Sequence, residues 1–203
     1  MNQATATPHS RAASTRTLTG ISILTAIVVV LTVLCNFIKF GPFSITLALA
    51  PIIIGAALYG RKAGAILGGV FGLVVVITGL LGFDGGTVLF LCSQNALATV
   101  LICLVKGTAA GFLAGLTYEA LAKKSRLAGV ITAGIVCPVV NTGLFILGML
   151  LCFYDVLSSW ASGASLIYYL IFGLTGVNFL IELAVNLILS STLVRIIKVG
   201  EKR

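Results

Sequence analysis

Six long apolar segments, separated by short polar or glycine-rich connections, account for most of this 203-residue chain. Apolar residues make up 59% of the sequence and charged residues only 9%, whereas a soluble domain carries about 25% charged residues. A chain with so few charges cannot cover a surface that faces water. The sequence therefore predicts an integral membrane protein, and it excludes a soluble enzyme, a nucleic-acid-binding domain and a secreted disulfide scaffold.

The apolar runs are predicted to be helices, because they are too long and too uniform for barrel strands, which would alternate. They cover residues 18–37, 45–59, 63–81, 88–121, 127–153 and 166–199. Since about 20 residues are needed to cross the hydrocarbon core, five qualify, and the second, which contains Pro51, is expected to be kinked or incompletely spanning. We predict an all-α, six-helix membrane domain over residues 17–199, with a disordered cytoplasmic tail at 1–16 and a second cytoplasmic tail at 200–203.

The basic residues lie almost entirely on one side of this topology. The predicted cytoplasmic side, which holds both termini, carries Arg11, Arg16, Arg61, Lys62, Lys123, Lys124, Arg126, Arg195, Lys198, Lys202 and Arg203. The opposite face carries Lys39 alone, and Lys106 lies within a span. The positive-inside rule then places both termini in the cytoplasm. Topology thus explains the net charge of +8, and no nucleic-acid partner is expected.

Sequence motifs for enzymatic chemistry do not occur in this chain. It has no Gly-x-x-x-x-Gly-Lys-Ser/Thr, Gly-x-Ser-x-Gly or His-Glu-x-x-His. The sequence therefore lacks the phosphate-binding loop of an NTPase, the nucleophile motif of a serine hydrolase and the metal-binding motif of a zinc protease. The five cysteines form no Cys-x-x-Cys and His9 is the single histidine, so we expect buried free thiols and no metal site. We predict neither an enzyme nor a cofactor, and uphill transport would require an ion gradient or a partner.

Two ionisable residues lie deep within predicted spans, Lys106 in the fourth and Glu182 in the sixth. Counted from the outer ends of their helices, they lie at similar depths. Two interpretations stay open: an ion pair that fixes one helix against the other, or a substrate carboxylate bound by Lys106. Asn178, Glu182 and Asn186 follow at intervals of four residues, so they share one helix face, which must contact protein or water rather than lipid.

Further amide side chains lie in the fourth and fifth spans. A single amide within a bundle commonly joins two helices, but several that converge favour a pocket for a small polar molecule. Trp160, in the connection before the sixth span, either belongs to the interfacial aromatic belt or covers this pocket. The predicted substrate-binding residues are Gln94, Asn95, Lys106, Asn141, Trp160, Asn178 and Glu182.

Small residues recur at helical spacing in the first, third and fourth spans. Such residues let membrane helices approach closely, either within the bundle or against another subunit. They are Ser22 and Ala26, Gly68 and Gly72, and Gly107, Gly111 and Gly115.

Four sequence segments carry a family resemblance. They are residues 17–26 (Thr-Leu-Thr-Gly-Ile-Ser-Ile-Leu-Thr-Ala), 41–46 (Gly-Pro-Phe-Ser-Ile-Thr) with the following Pro51, 59–64 (Tyr-Gly-Arg-Lys-Ala-Gly), and Lys106-Gly107 continuing to Gly111 and Gly115. Over about residues 16–199 the chain resembles the substrate-binding S component of the energy-coupling-factor (ECF) vitamin transporters. The resemblance implies a multi-pass protein of the bacterial cell membrane that captures a vitamin or related micronutrient from outside, between helices 4, 5 and 6.

The resemblance also implies partners. Loaded S components associate with a membrane coupling subunit and two ATPase subunits, and topple in the membrane to release their cargo inside. The family docks through an Ala-x-x-x-Ala stripe on helix 1, where this chain has Ser22 and Ala26. Residues 137–143 (Cys-Pro-Val-Val-Asn-Thr-Gly) are most similar to the pantothenate branch. Pantothenate carries one carboxylate, two hydroxyls and an amide, which suits one lysine and several amides.

Two other functions stay open. A stand-alone ion-coupled carrier would be favoured by inverted repeats, and we find no convincing similarity between residues 18–81 and 127–199. A structural or assembly protein would bind no vitamin.

Overall fold

The computed structural model is predominantly helical, and it describes residues 8–37, 39–40, 43–44, 47–161, 163, 165–169 and 176–201. The elements are α1 (Pro8–Cys35), β1 (Lys39–Phe40), β2 (Phe43–Ser44), α2 (Leu49–Tyr59), α3 (Arg61–Leu80), α4 (Thr87–Leu121), α5 (Arg126–Cys152), α6 (Tyr154–Ala161), α7 (Leu166–Tyr168) and α8 (Gly176–Glu201).

Four of these helices are long and apolar enough to cross a membrane: Thr15–Cys35 within α1, and the whole of α3, α4 and α5. The described residues also include two shorter apolar helices, α2 and Phe179–Leu189 within α8. The predicted multi-pass membrane protein is therefore confirmed. The count of six spans and the cytoplasmic side of both termini stay predictions.

Both ends of the chain are more helical than predicted. α1 begins at Pro8, so residues 8–16 of the predicted disordered tail belong to a helix. Proline suits the first helical position, because its missing N–H would have no partner there, and the alanines and arginines that follow are good helix formers. α8 likewise continues to Glu201, into the predicted tail at 200–203. Residues 1–7 and 202–203 lie outside the described part of the chain.

α2 confirms the expectation of an incomplete span. Its 11 residues extend about 17 Å, against roughly 30 Å of hydrocarbon. Pro51 lies in the first turn, where no helical hydrogen bond is lost, so it introduces no kink. Leu49, Ile52 and Ile53 are almost completely buried, because α2 packs in the centre of the bundle against α1, α3, α4, α5 and α8. A two-stranded antiparallel hairpin, Lys39 to Ser44, precedes it.

α3 and α4 pack backbone to backbone along a glycine seam. A Cβ atom added at Gly68 would overlap the carbonyl of Gly107, and one added at Gly64 would overlap that of Gly111. At the end of the seam, a Cβ at Gly115 would lie 2.5 Å from the Arg61 Cα. The glycines of these two predicted stripes therefore pack the bundle, as expected within one chain.

The connections at either end of α3 are held by carboxylates, one from α4 and one from the α3–α4 connection itself. After Gly60, whose φ of 85° favours glycine, the Arg61 backbone N–H donates to Glu119 Oε1 at 2.9 Å. Before α4, Asp84 Oδ1 accepts from the Gly86 N–H at 2.9 Å, and its Oδ2 accepts from the Val88 N–H at 2.7 Å. Each carboxylate satisfies N–H groups at a helix start, which have no partner within the helix.

The predicted loop with Tyr154, Asp155 and Trp160 is helical instead, as α6. Phe153, Leu157 and Ala161 are buried at intervals of four residues, and the first two pack with Met149 on the end of α5. The segment is too short and too polar to count as a span, so the sequence analysis predicted a loop rather than this amphipathic helix. The predicted sixth span at 166–199 is described as α7 and α8, and residues 170–175 lie outside the described part.

Candidate substrate site

α4 is broken at Asn95, within its outer part. We call the end of the bundle that holds the α3–α4 connection and α6 the outer end, since the predicted topology places it outside the cell. Asn95 has φ −156° and ψ 92°, which interrupts the helix. Its side-chain Oδ1 accepts from the Ala98 N–H at 3.0 Å, and its carbonyl accepts from the Thr99 hydroxyl at 2.9 Å. Asn95 thus caps a second helix, residues 96–121.

The break opens space around α4. Residues 93–97 are all exposed, and Leu97 is 72% exposed. Because five consecutive helical residues point in every direction around the axis, the bundle side of α4 is open here as well as the lipid side. The first N–H groups of the inner helix form its positive end, and one of them, that of Ala98, donates to Asn95 Oδ1. Irregular backbone at membrane depth occurs where it lines a protein-enclosed or water-filled cavity.

Lys106 lies three turns inward from this break. Its Nζ atom is 4.9 Å from the centroid of the Phe145 ring on α5, a distance typical of a cation–π contact. The Cα–Cβ bond of a helical residue tilts toward the start of its helix, which for Lys106 on α4 is the outer side. The side chain is partly exposed. Its ammonium group and the positive end at Asn95 therefore lie on the same helix, roughly 10 Å apart once the outward tilt is allowed for.

Glu182, the acidic residue predicted beside Lys106, is buried on α8. A Cβ at Gly134 on α5 would be 3.8 Å from the Cβ of Asn186 on α8, so these two positions are level. If α5 and α8 run in opposite directions, as consecutive spans do, Glu182 is level with Pro138, and thus about 10 Å inward from Phe145. Elsewhere in the bundle, Arg61 and Glu119 form an ion pair, with 3.9 Å between Nε and Oε2. The ion pair of Lys106 with Glu182 and the binding of a substrate carboxylate by Lys106 both stay predictions.

The other predicted site residues are distributed over two levels. Gln94 lies beside Asn95 at the break. Trp160 packs on Phe90 of α4, with ring centroids 5.8 Å apart, so α6 lies against the outer end of α4. Asn141 is buried on α5, and its Oδ1 forms no hydrogen bond. The side chain of Asn178 lies outside the described part of the structure.

Ser22 and Ala26 lie on the exposed face of α1, opposite the buried Leu24 and Val28. Neither packs the bundle, whereas the nearby Gly20 does, since a Cβ there would overlap the hydroxyl of Tyr59. The thiols of Cys35, Cys103 and Cys137 are buried and free as predicted, but Cys152 is exposed. Within the described residues, no group of three or more histidine, cysteine or acidic side chains is arranged to hold a metal ion.

The break in α4 was missed at the sequence level. Asparagine is a preferred capping residue, and Asn95 stands three residues before the N–H that it caps. Inside a 35-residue apolar run, however, an isolated asparagine does not indicate that a new helix begins, so the break is seen only in the structure.

The fold and this site define a multi-pass membrane protein with a polar site in the outer part of a helical bundle. A model of the family of ECF transporter substrate-specific components matches residues 16–194, so the chain belongs to that family. Proteins of this family bind small-molecule substrates and work with a membrane coupling subunit and ATPases, and the family is not an enzyme class. No curated protein and no solved structure matches the chain.

Proposed function

We propose that this protein captures a small carboxylate-bearing vitamin from outside the cell and delivers it inward with a coupling subunit and two ATPase subunits. The break in α4 carries the proposal, because it places the positive end of a helix and a lysine on the same helix. Both features favour a negative charge. Gln94 and Asn95 add amide groups for the neutral part of the ligand, and Trp160 would cover it from α6.

Pantothenate is the vitamin we favour. Its single carboxylate matches the single lysine within the spans, and its amide and two hydroxyls match the amides around the break. The sequence at 137–143 supports the same branch. Asn178 and Asn141, which lie further along α8 and α5, are proposed to extend the polar lining of the site.

Mass spectrometry of the ligand that remains with the purified protein tests the substrate. A carboxylate vitamin is expected, and titration calorimetry should show that pantothenate binds more tightly than panthenol, in which an alcohol replaces the carboxylate. Equal affinity for the two compounds would refute the charge-based part of the proposal.

A transport assay in cells tests the energy source. Because an S component relies on ATPases, uptake should stop when the ATPase subunits are inactivated by mutation. It should persist for as long as ATP is maintained when a proton ionophore is added. The reverse pattern would indicate the ion-coupled carrier instead.

A further inference from the structure

Several exposed cations lie at the inner end of the bundle, opposite the outer end. Arg61 and Lys62 begin α3, Lys123 and Lys124 follow α4, and Arg126 begins α5. The positive-inside rule accounts for the number of cations at this end. It does not account for the contacts of Arg61, which place its side chain beside an exposed apolar strip of α4.

The length of α3 places Arg61 at the boundary of the hydrocarbon core. α3 has 20 residues and extends about 30 Å, which equals the thickness of the core, so its first residue lies at the level of the lipid headgroups. α4 continues further. Gly115 is level with Arg61, since a Cβ there would lie 2.5 Å from the Arg61 Cα, and α4 ends at Leu121, about 9 Å beyond. The cations that follow α4 therefore lie farther from the membrane centre than Arg61 does.

The Arg61 guanidinium is held against α4 by two contacts. Its Cζ atom lies 5.8 Å from the centroid of the Phe112 ring, a distance typical of a cation–π contact. Its Nε atom lies 3.9 Å from Glu119 Oε2, which is longer than a hydrogen bond. A guanidinium carries five N–H donors in a planar fork that matches the oxygens of a phosphate group. The two contacts orient this fork and leave it able to bind a phosphate.

The apolar strip of α4 leads from Arg61 toward the membrane centre. Phe112, Leu116 and Glu119 follow at intervals of four and three residues, so they share one face of α4, and the two apolar side chains are exposed. A phospholipid would use both parts of this surface, the cation for its phosphate and the strip for an acyl chain. A free phosphate would use the cation alone. An acidic protein would meet the cations beyond the membrane rather than the strip.

We propose that Arg61, together with Phe112 and Leu116, binds an anionic phospholipid of the inner leaflet. The guanidinium holds the lipid phosphate at the boundary of the hydrocarbon core, and an acyl chain lies along the two apolar side chains. The predicted topology places this end at the cytoplasmic leaflet, whose anionic lipids attract basic residues close to the membrane. The proposal goes beyond vitamin uptake and does not depend on which vitamin the outer site takes.

Thermal unfolding of the purified protein in detergent tests this proposal. The melting temperature is measured with added phosphatidylglycerol, with phosphatidylcholine of the same acyl chains, and with inorganic phosphate at the same concentration. Phosphatidylglycerol should raise the melting temperature of the wild type by about 3 °C or more, since a ligand of the native state stabilises it. Phosphatidylcholine should raise it less, because its headgroup has no net charge. Inorganic phosphate should leave it unchanged.

Arg61→Gln should lose most of the shift with phosphatidylglycerol, measured against the melting temperature of the same variant without lipid. Lys124→Gln is the matched control, because it removes an equal charge from the same end of the bundle but lies beyond the strip, and it should keep most of the shift. If Arg61→Gln does not fold, Arg61→Lys keeps the charge without the planar fork and should lose part of the shift.

Four results would overturn the proposal. Equal shifts with the two lipids would indicate that acyl chains alone bind, and the same shift with inorganic phosphate would indicate an ion site. Equal losses in Arg61→Gln and Lys124→Gln would indicate general electrostatic attraction. A wild type that responds to neither lipid would leave an acidic protein as the partner of these cations.

Discussion

At the scale of single residues, Lys106 is the side chain whose position bears most on function. Its ammonium group lies 4.9 Å from the centroid of the Phe145 ring on α5. A cation over an aromatic face keeps part of its stabilisation without a counter-ion, and it stays available to a carboxylate. We therefore propose the ligand-binding interpretation for Lys106, with the ion pair to Glu182 as the alternative that mutation distinguishes.

Replacing Lys106 tests this interpretation. Lys106→Ala should weaken the binding of a carboxylate vitamin about ten- to a hundred-fold, since a charge-assisted contact is worth roughly 1.5–3 kcal/mol. The melting temperature should stay close to that of the wild type, because no buried carboxylate is left alone. Calorimetry with pantothenate and panthenol checks the first point, and Lys62→Ala, outside the site, is the control. A stability loss of about 3–5 kcal/mol with unchanged affinity would instead indicate the pair with Glu182.

Glu119 is a second residue whose role can be separated into parts. It accepts a hydrogen bond from the Arg61 backbone N–H and also forms an ion pair with the Arg61 side chain. Both side chains are more than two-fifths exposed, so the ion pair contributes little. Glu119→Ala should lower stability by about 1 kcal/mol, the usual effect of a lost helix cap. Glu119→Gln keeps an acceptor oxygen and should recover most of this loss; if both variants melt alike, the charge matters more than the cap.

At the scale of helices, the glycine seam fixes how closely α3 and α4 approach. Gly68→Ala places a methyl group against the carbonyl of Gly107, so it should destabilise the protein by about 1–3 kcal/mol. Gly143 on α5 is the matched control, because a Cβ there meets nothing within 4 Å. Gly143→Ala should be neutral or stabilising by up to about 1 kcal/mol, through its better helix propensity. The two effects are compared by measuring the melting temperatures of both variants. Equal destabilisation would contradict the close packing of α3 and α4 along the glycine seam.

Sequence patterns predict the bounds of a helix well where the length of an apolar run alone determines where the helix begins and ends. The predicted bounds of α3, α4 and α5 agree with the structure within about two residues at each end, in line with the precision that helix ends allow. α6 and the break at Asn95 were not predicted, because a short amphipathic helix and a local cap depend on neighbours in space. The glycine stripes of α3 and α4 were recognised, but the sequence did not show that they face each other.

At the scale of the whole molecule, the exposed faces determine which partners the protein meets. α1 is packed on one side by α2 and α3, and its opposite side carries Ser22 and Ala26 at the surface. Small side chains at helical spacing let another helix approach closely. Family membership indicates a coupling subunit, and the exposure of this pair on α1 supports the proposal that the subunit contacts this face.

Ser22→Leu or Ala26→Leu should therefore leave vitamin binding intact and prevent transport. A leucine on this face separates the two helices that must meet, while the break in α4 and Lys106 lie on other helices and are not disturbed. Ile27→Leu is the matched control, since Ile27 is also exposed on α1, is already bulky and lies about 100° around the helix from Ala26. Co-purification with the coupling subunit, uptake in cells and calorimetry on the isolated subunit separate docking from binding. Loss of vitamin binding in the isolated variants would show that Ser22 and Ala26 stabilise the bundle, and normal uptake would exclude this face of α1 from docking.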